Sequence, residues 1–345
     1  MGKFVDEMTP VERKKALEKG ERVDRLPCVP FMEEVKCKIT GQSIPDYWHR
    51  WETMVQIEKE VFQRFGHDRL LIGPNSYGIS ESLGAEVIYP EHNMPHMGKP
   101  LIDTYEKVKE LEPVQPQKNK RMYPFLEAAK VLGETMTSIV PVEASVGGPF
   151  TIAAYLRGTE KLLRDLRKHS KEVHELLRLV TESEKNCIKE ATKYGLGIAL
   201  ADPVASPELI GEKYYKEFAY PYMKELTEYA ASLGQKPSLH MCGKTYSIWK
   251  YFREYPLNEI SLDNIIDLER AVEELSDAVP ITGNIPPVEV MLNGEKEDIF
   301  EAVKHCISIG KKAKKGYTVA TGCDLPVSTD PRKIEYMMEA VREFS

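Results

Sequence analysis

Eight short, β-rich apolar runs recur along the chain, and most are followed by a longer amphipathic stretch. They lie at 28–32 (CVPFM), 69–73 (RLLIG), 138–146 (SIVPVEASV), 196–202 (LGIALAD), 237–241 (PSLHM), 259–263 (EISLD), 280–284 (PITGN) and 317–321 (YTVAT). The stretches between them carry helix signals. In "SPELIGEKYYKEFAYPYMKELTEYAASLG", Ser206 and Pro207 suit a cap and first turn and Gly234 suits the stop. "DLERAVEEL" follows the sixth run and "EDIFEAVKHCISIG" the seventh. Eight strands, each followed by a helix, predict an α/β fold of the (β/α)8 TIM-barrel type.

Two regions stand outside the repeat. Residues 1–25 form an N-terminal extension with a helix in "TPVERKKALEKG", and about 74–120 form an insertion whose "ESLGAEVIYPEHNMPHMGKP" reads as a β-hairpin. Both decorate one domain, 1–345, a length within reach of a single barrel and ample for a large core.

A formal net charge of −7, from 47 Lys+Arg against 54 Asp+Glu, gives no overall electrostatic reason to bind nucleic acid or an anionic membrane. The basic cluster "GKKAKKG" at 310–316 reads as a solvated helix end. No stretch approaches about eighteen consecutive apolar residues, and the N-terminus shows no apolar signal core. A cytoplasmic location is therefore expected. In that reducing compartment the six cysteines serve as thiols or metal ligands, not as a disulfide framework.

A barrel gathers its chemistry at the C-terminal ends of its strands. The fourth run ends in Asp202-Pro203, the fifth in His240-Met241-Cys242-Gly243, the sixth in Asp263-Asn264, the seventh in Gly283-Asn284 and the eighth in Gly322-Cys323-Asp324. His240 and Cys242 are alternate residues at one strand end, with Gly243 to turn the chain, and Cys323 stands at the equivalent level of another. Together they make a His, Cys, Cys ligand set for Zn2+ with a fourth position open. Cys28, Cys187 and Cys306 sit inside apolar patterns, and Cys37 lies in the loop or helix after the first strand; these four read as packing or surface residues. Glu143 and Asp202 are candidates for a fourth ligand, a proton carrier or an orienting partner of His240. Asp324 reads as the cap of the following turn. Phe31, Met32 and Tyr77, with Met94 and Met97, are candidates for an apolar substrate pocket, and Asn284 for a polar substrate contact.

Four segments, "VGGPFTIAAYLRG" (146–158), "LHMCGKTYSI" (239–248), "GNIPPVEVMLNG" (283–294) and "TGCDLPVSTDP" (321–331), give the chain a specific resemblance to the uroporphyrinogen decarboxylase superfamily over essentially its full length. The resemblance implies the same barrel. Its decarboxylases carry an arginine-rich segment after the first strand and an aspartate after the second. Here the first segment is "PFMEEVKCKITG", with Glu33 and Glu34 where cations are needed, and the second is "IGPNSYG". The chain looks more like the zinc-dependent corrinoid methyltransferases, whose His-x-Cys and distant Cys are matched by His240, Cys242 and Cys323. That resemblance implies a corrinoid (methylcobalamin) carried by a partner protein, because no separate cobalamin-binding domain is recognisable in the chain. It also implies a small methyl donor, such as a methoxylated aromatic, or a thiol acceptor of the coenzyme M kind. Two cysteinates and a neutral histidine cancel zinc's charge, which favours a thiol. The apolar pocket candidates favour a methylated donor. A decarboxylase, and a binding protein with a closed zinc site, are the readings outside this class.

Overall fold

The computed structural model describes residues 6–345. Ten strands run in chain order: β1 Cys28–Val29, β2 Leu70–Ile72, β3 Val87–Ile88, β4 His96–Met97, β5 Val142–Gly147, β6 Gly197–Ala201, β7 Ser238–Met241, β8 Glu259–Leu262, β9 Ile281–Ile285 and β10 Tyr317–Thr321. Eight of them form one sheet in the order β1-β10-β9-β8-β7-β6-β5-β2, and every pairing in it is parallel. That cyclic order is the (β/α)8 barrel read from the eight runs. The seam between β1 and β2 is closed by the Asp68 N–H, which donates to the Cys28 carbonyl at 2.9 Å.

The strands are shorter than the apolar runs that announced them. The first run, 28–32, pairs only over Cys28–Val29, because Pro30 has no N–H to donate and the chain turns away over Phe31 and Met32. The third begins at Val142, not 138, since Pro141 precedes it. Thirteen-residue helix Tyr123–Thr135, 24-residue helix Ser170–Lys193 and 15-residue helix Lys296–Gly310 are among those packed outside the sheet, burying faces such as Leu176, Leu177, Val180 and Cys187. Cys28, Cys37, Cys187 and Cys306 are all buried, as packing residues are.

The helix expected over 206–234 is broken. It runs Pro207–Tyr214, widens to a π turn over Tyr215–Ala219, and resumes as Tyr220–Ser232. Gly211, at φ 70°, takes a conformation that L side chains resist, and Pro221 removes a donor where the helix resumes. Ser206 precedes the first segment without capping it: its Oγ is buried and unpartnered.

The N-terminal helix, Pro10–Glu18, starts with a capping box in which Thr9 and Glu12 bond each other's backbone N–H. Pro10, Lys14 and Leu17 line a cavity of about 390 Å³ at the N-terminal end of the barrel. The insertion is less of a hairpin than its sequence suggests. It holds helix Asn75–Ser82, the two-residue strands β3 and β4 paired antiparallel, and 3-10 turns at Tyr105–Glu110 and Pro116–Lys118. The first five residues of the N-terminal extension lie outside the described part. Among the described residues, no helix is long and apolar enough to cross a membrane.

Candidate metal centre

β7 ends at Met241 and β10 at Thr321, so His240, Cys242 and Cys323 all stand at the C-terminal mouth. His240 Nε2 lies 3.2 Å from Cys242 Sγ, and Cys242 Sγ lies 3.9 Å from Cys323 Sγ. All three donor atoms fall within 4.8 Å of one another, on half-buried side chains. A tetrahedral zinc with ordinary bond lengths spaces two sulfurs by about 3.8 Å and a nitrogen and sulfur by about 3.6 Å. The residues fit that ion, and they leave a fourth position to a group from outside the triad.

The surroundings fix these donors. His240 pairs with Ser261 across the β7/β8 ladder, and the Ser261 hydroxyl lies 3.0 Å from His240 Nδ1, leaving Nε2 for the sulfurs or a metal. After Cys242, the Gly243 N–H donates to Asp263 Oδ2 at 2.7 Å and the Lys244 N–H donates to Glu208 Oε2 at 2.8 Å. The hydrogen bond between the sulfurs holds the Cys323 thiol down to about 4; burial opposes this and His240 assists it. The same bond and burial push the Cys242 thiol up. A donor set of two sulfurs and an imidazole suits a soft dication.

Asp202 follows β6 and is almost fully buried. Its Oδ1 accepts from the Thr151 N–H at 2.7 Å and from the Thr151 hydroxyl at 2.6 Å, so it anchors the first turn of helix Pro149–Arg157. Its own N–H donates to the His240 carbonyl at 3.2 Å, while Oδ2 is buried and has no partner. Burial raises its carboxyl to about 6 against the opposing Thr151 bonds.

Glu143 does not join the site. It is the second residue of β5, opposite Leu71 and Gly197, whereas His240 is level with Ala201 and, through it, Gly147. Four residues of strand, roughly 13 Å, separate the two levels. Glu143 instead pairs with Arg69 at 3.5 Å and accepts from the Ser238 hydroxyl at 3.4 Å, in the cavity at the other end of the barrel. A strand in a barrel places the same residue type at either mouth, and only the register tells which.

The pocket candidates divide in the same way. The Phe31 ring is centred 6.3 Å from that of His240, and Tyr77 stacks on Tyr155 with centroids 5.3 Å apart. Burial pushes the Tyr155 hydroxyl up, against its hydrogen bond with Tyr77, and the neighbouring Cys242 and Asp202 add to the rise. Met32 is buried in the core, Met94 is exposed on the hairpin, and Met97 packs partly against the core from β4. Asn284 is buried, and its amide donates to the Asp263 and Ile266 carbonyls at 3.0 and 2.8 Å, holding the loop after β8. Asp324 lies exposed at the mouth, next to Cys323. Ser261 and Glu208 carry no motif that marks them, and Asp263 and Tyr155, though they stand at a strand end and in the 146–158 segment, are given no role by it; their places follow from strand register and loop contact.

The fold and the mouth define a (β/α)8 barrel protein with one nitrogen and two sulfur donors converging at its C-terminal face. Residues 9–344 match the family described as Uroporphyrinogen decarboxylase (URO-D), and the chain belongs to it. One relative is the methylcobamide:CoM methyltransferase MtbA of Methanosarcina acetivorans, 26% identical over 343 residues that cover 98% of this chain and 99% of that protein. The uroporphyrinogen decarboxylase of Rickettsia felis is 23% identical over 321 residues, covering 90% of this chain and 89% of that protein. Among solved structures, a methyltransferase from Methanosarcina mazei superposes with a TM-score of 0.82 at 20% identity, covering 98% of this chain and 99% of that one, which supports the barrel.

Proposed function

We propose that this chain is a zinc-dependent methyltransferase that moves a methyl group between a small molecule and the corrinoid of a partner protein, in the cytoplasm. The observation that carries the reading is the convergence of His240 Nε2, Cys242 Sγ and Cys323 Sγ at one accessible point of the mouth. Relatives named as methylcobamide:CoM methyltransferases, full-length matches to this chain, support it. Glu33 and Glu34 in the segment after β1 weigh against a polyanionic porphyrinogen.

His240, Cys242 and Cys323 would hold the zinc. When bound, the metal supplies Lewis acidity to a methylated heteroatom or keeps an acceptor thiol as thiolate. Ser261 holds the imidazole so that Nε2 faces the centre. Asp263 and Glu208 keep the loop after Cys242 in place through its backbone N–H groups. Asp202 anchors helix Pro149–Arg157 and with it Tyr155, whose stack on Tyr77 walls the substrate space; Phe31 walls the side toward His240. Asp202 Oδ2, with a carboxyl near neutrality, is suited to hold a proton.

A second reading, in which the small molecule is a thiol acceptor, is favoured by the two cysteine ligands, whose charge offsets that of the zinc. The relatives' coenzyme M names point the same way.

The test is zinc content of the purified protein beside Cys242→Ala and Cys323→Ala, followed by zinc-edge absorption with added thiols and methoxyarenes. About one zinc per chain, lost in either variant, is expected for a three-residue site. A new sulfur neighbour assigns thiol methylation and a new oxygen neighbour assigns ether cleavage. Zinc absent, or indifferent to both cysteines, overturns the proposal.

A further inference from the structure

Two of the six cysteines stand apart from the rest. Cys28, Cys37, Cys187 and Cys306 are buried among core side chains, whereas Cys242 and Cys323 are half-buried at the C-terminal mouth, within reach of small solutes. Their Sγ atoms lie 3.9 Å apart although the two residues are 81 apart in the chain. The chain thus brings its two accessible thiols, and no others, side by side.

Backbone hydrogen bonds on both sides hold this pair in place. Beside Cys242, the Gly243 N–H donates to Asp263 Oδ2 at 2.7 Å and the Lys244 N–H to Glu208 Oε2 at 2.8 Å. Beside Cys323, the Gly322 N–H donates to the Ile285 carbonyl at 2.8 Å and the Leu325 N–H to the Phe31 carbonyl at 2.8 Å. Each loop is therefore tied to a neighbouring strand end or loop, and the closeness of the sulfurs is a property of the closed barrel.

That spacing serves two kinds of chemistry. A tetrahedral zinc takes its sulfurs about 3.8 Å apart, and a disulfide takes them about 2.05 Å apart. A change of rotamer swings a cysteine sulfur through roughly 3 Å, more than the difference. With a small disulfide such as glutathione disulfide as oxidant, the bridge forms in two exchanges. One cysteine sulfur attacks the oxidant, forming a mixed disulfide and releasing one glutathione. The other cysteine sulfur then attacks the protein side of that bond, joining Cys242 to Cys323 and releasing the second glutathione. Two protein thiols give up two electrons and two protons, and two glutathione thiols carry them away. Groups held together by a fold react as though orders of magnitude more concentrated than free ones, so the second exchange outruns capture of another small thiol.

We infer that Cys242 and Cys323 are a modification site, forming a reversible disulfide with each other when a small-molecule disulfide is in excess. The bridge rests on the sulfur positions alone. Its consequence rests on the zinc reading above: bond and metal compete for the same two sulfurs, because a bridged sulfur has lost the thiolate that ligates. Metal loading of the site then follows the thiol–disulfide balance of its surroundings, with the reduced chain taking the ion and the oxidised chain refusing it.

The test uses the folded full chain, stripped of metal with a chelator, incubated with glutathione disulfide and mapped by proteolysis and mass spectrometry without reductant. A peptide pair joined through Cys242 and Cys323 is expected, together with loss of two of the six thiols that titrate after denaturation. Dithiothreitol should restore both thiols. Zinc added before the oxidant should slow bridging about tenfold or more, and the bridged protein should take up zinc only after reduction. No bridge after prolonged oxidation, mixed disulfides with glutathione as the end product, or a bridge through one of the four buried cysteines overturns the inference. Bridging at the same rate with zinc bound overturns the competition. A chain that forms the bridge but binds no zinc brings down the zinc reading and leaves the disulfide standing.

Discussion

Asp202 shows how one buried carboxyl ties the site to stability. Its carboxyl is held near 6, above the ordinary 3.8, with burial as the main cause. The folded state therefore binds its proton more tightly than the unfolded chain does. Its contribution is fullest below about pH 4 and declines as pH rises through 6, by roughly 3 kcal/mol in all. Asp202→Asn keeps an oxygen for the Thr151 N–H and removes the titration. Urea unfolding from pH 4 to 7 should show the difference between variant and wild type shifting by that amount in the variant's favour as pH rises. A constant difference would mean that Asp202 ionises alike in both states. Ser261 is the other instructive residue: its hydroxyl has no sequence mark, and its value lies in facing His240 across a ladder.

At the scale of elements, the centre depends on how closely the loops after β8 and β10 pass. A Cβ added to Gly322 would stand 2.4 Å from the Asn264 N and 2.7 Å from the Asn264 Cβ. Backbone cannot yield as a flexible side-chain end does. Gly322→Ala is expected to destabilise the fold by about 1–3 kcal/mol and to weaken zinc binding, because Cys323 is the next residue. Thermal unfolding and competition with a chromophoric chelator check the two effects. Loss of stability with unchanged zinc affinity would show that Cys323 moves independently of the loop. The β7, β8 and β10 ends were legible from their apolar runs, and the cysteine pair from its place after them. The broken helix at 207–232 was not, because an amphipathic pattern of that length reads as continuous until the backbone of Gly211 is seen.

For the whole molecule, the critical joint is the barrel seam beneath the site. Asp68 accepts from the Arg25 guanidinium at 2.6 Å and the Cys28 N–H at 2.7 Å, pairs also with Arg13, and donates its own N–H to Cys28. Arg13 and Arg25 are almost entirely buried, so removing the carboxylate leaves two guanidinium groups short of a partner that water cannot replace. Asp68→Ala is expected to cost about 3–5 kcal/mol in urea unfolding, with zinc stoichiometry unchanged because the centre lies at the other mouth. A loss below about 1 kcal/mol would show that Asp24 and Asp6, which also pair with these arginines, suffice.

Periodic apolar runs were enough for the barrel, since eight strand-length segments alternating with amphipathic ones can bury their apolar surface in few other ways. The same holds for the candidate donors, because alternation within a strand and a following glycine put His240 and Cys242 on one side of a turn. Neither argument could say that Glu143 belongs to the opposite mouth, that Asn284 is spent on a neighbouring loop, or that the segments after β1 and β10 bond to each other through Phe31 and Leu325. Those facts depend on register between strands and on contacts between loops hundreds of residues apart, which come into being only when the sheet closes.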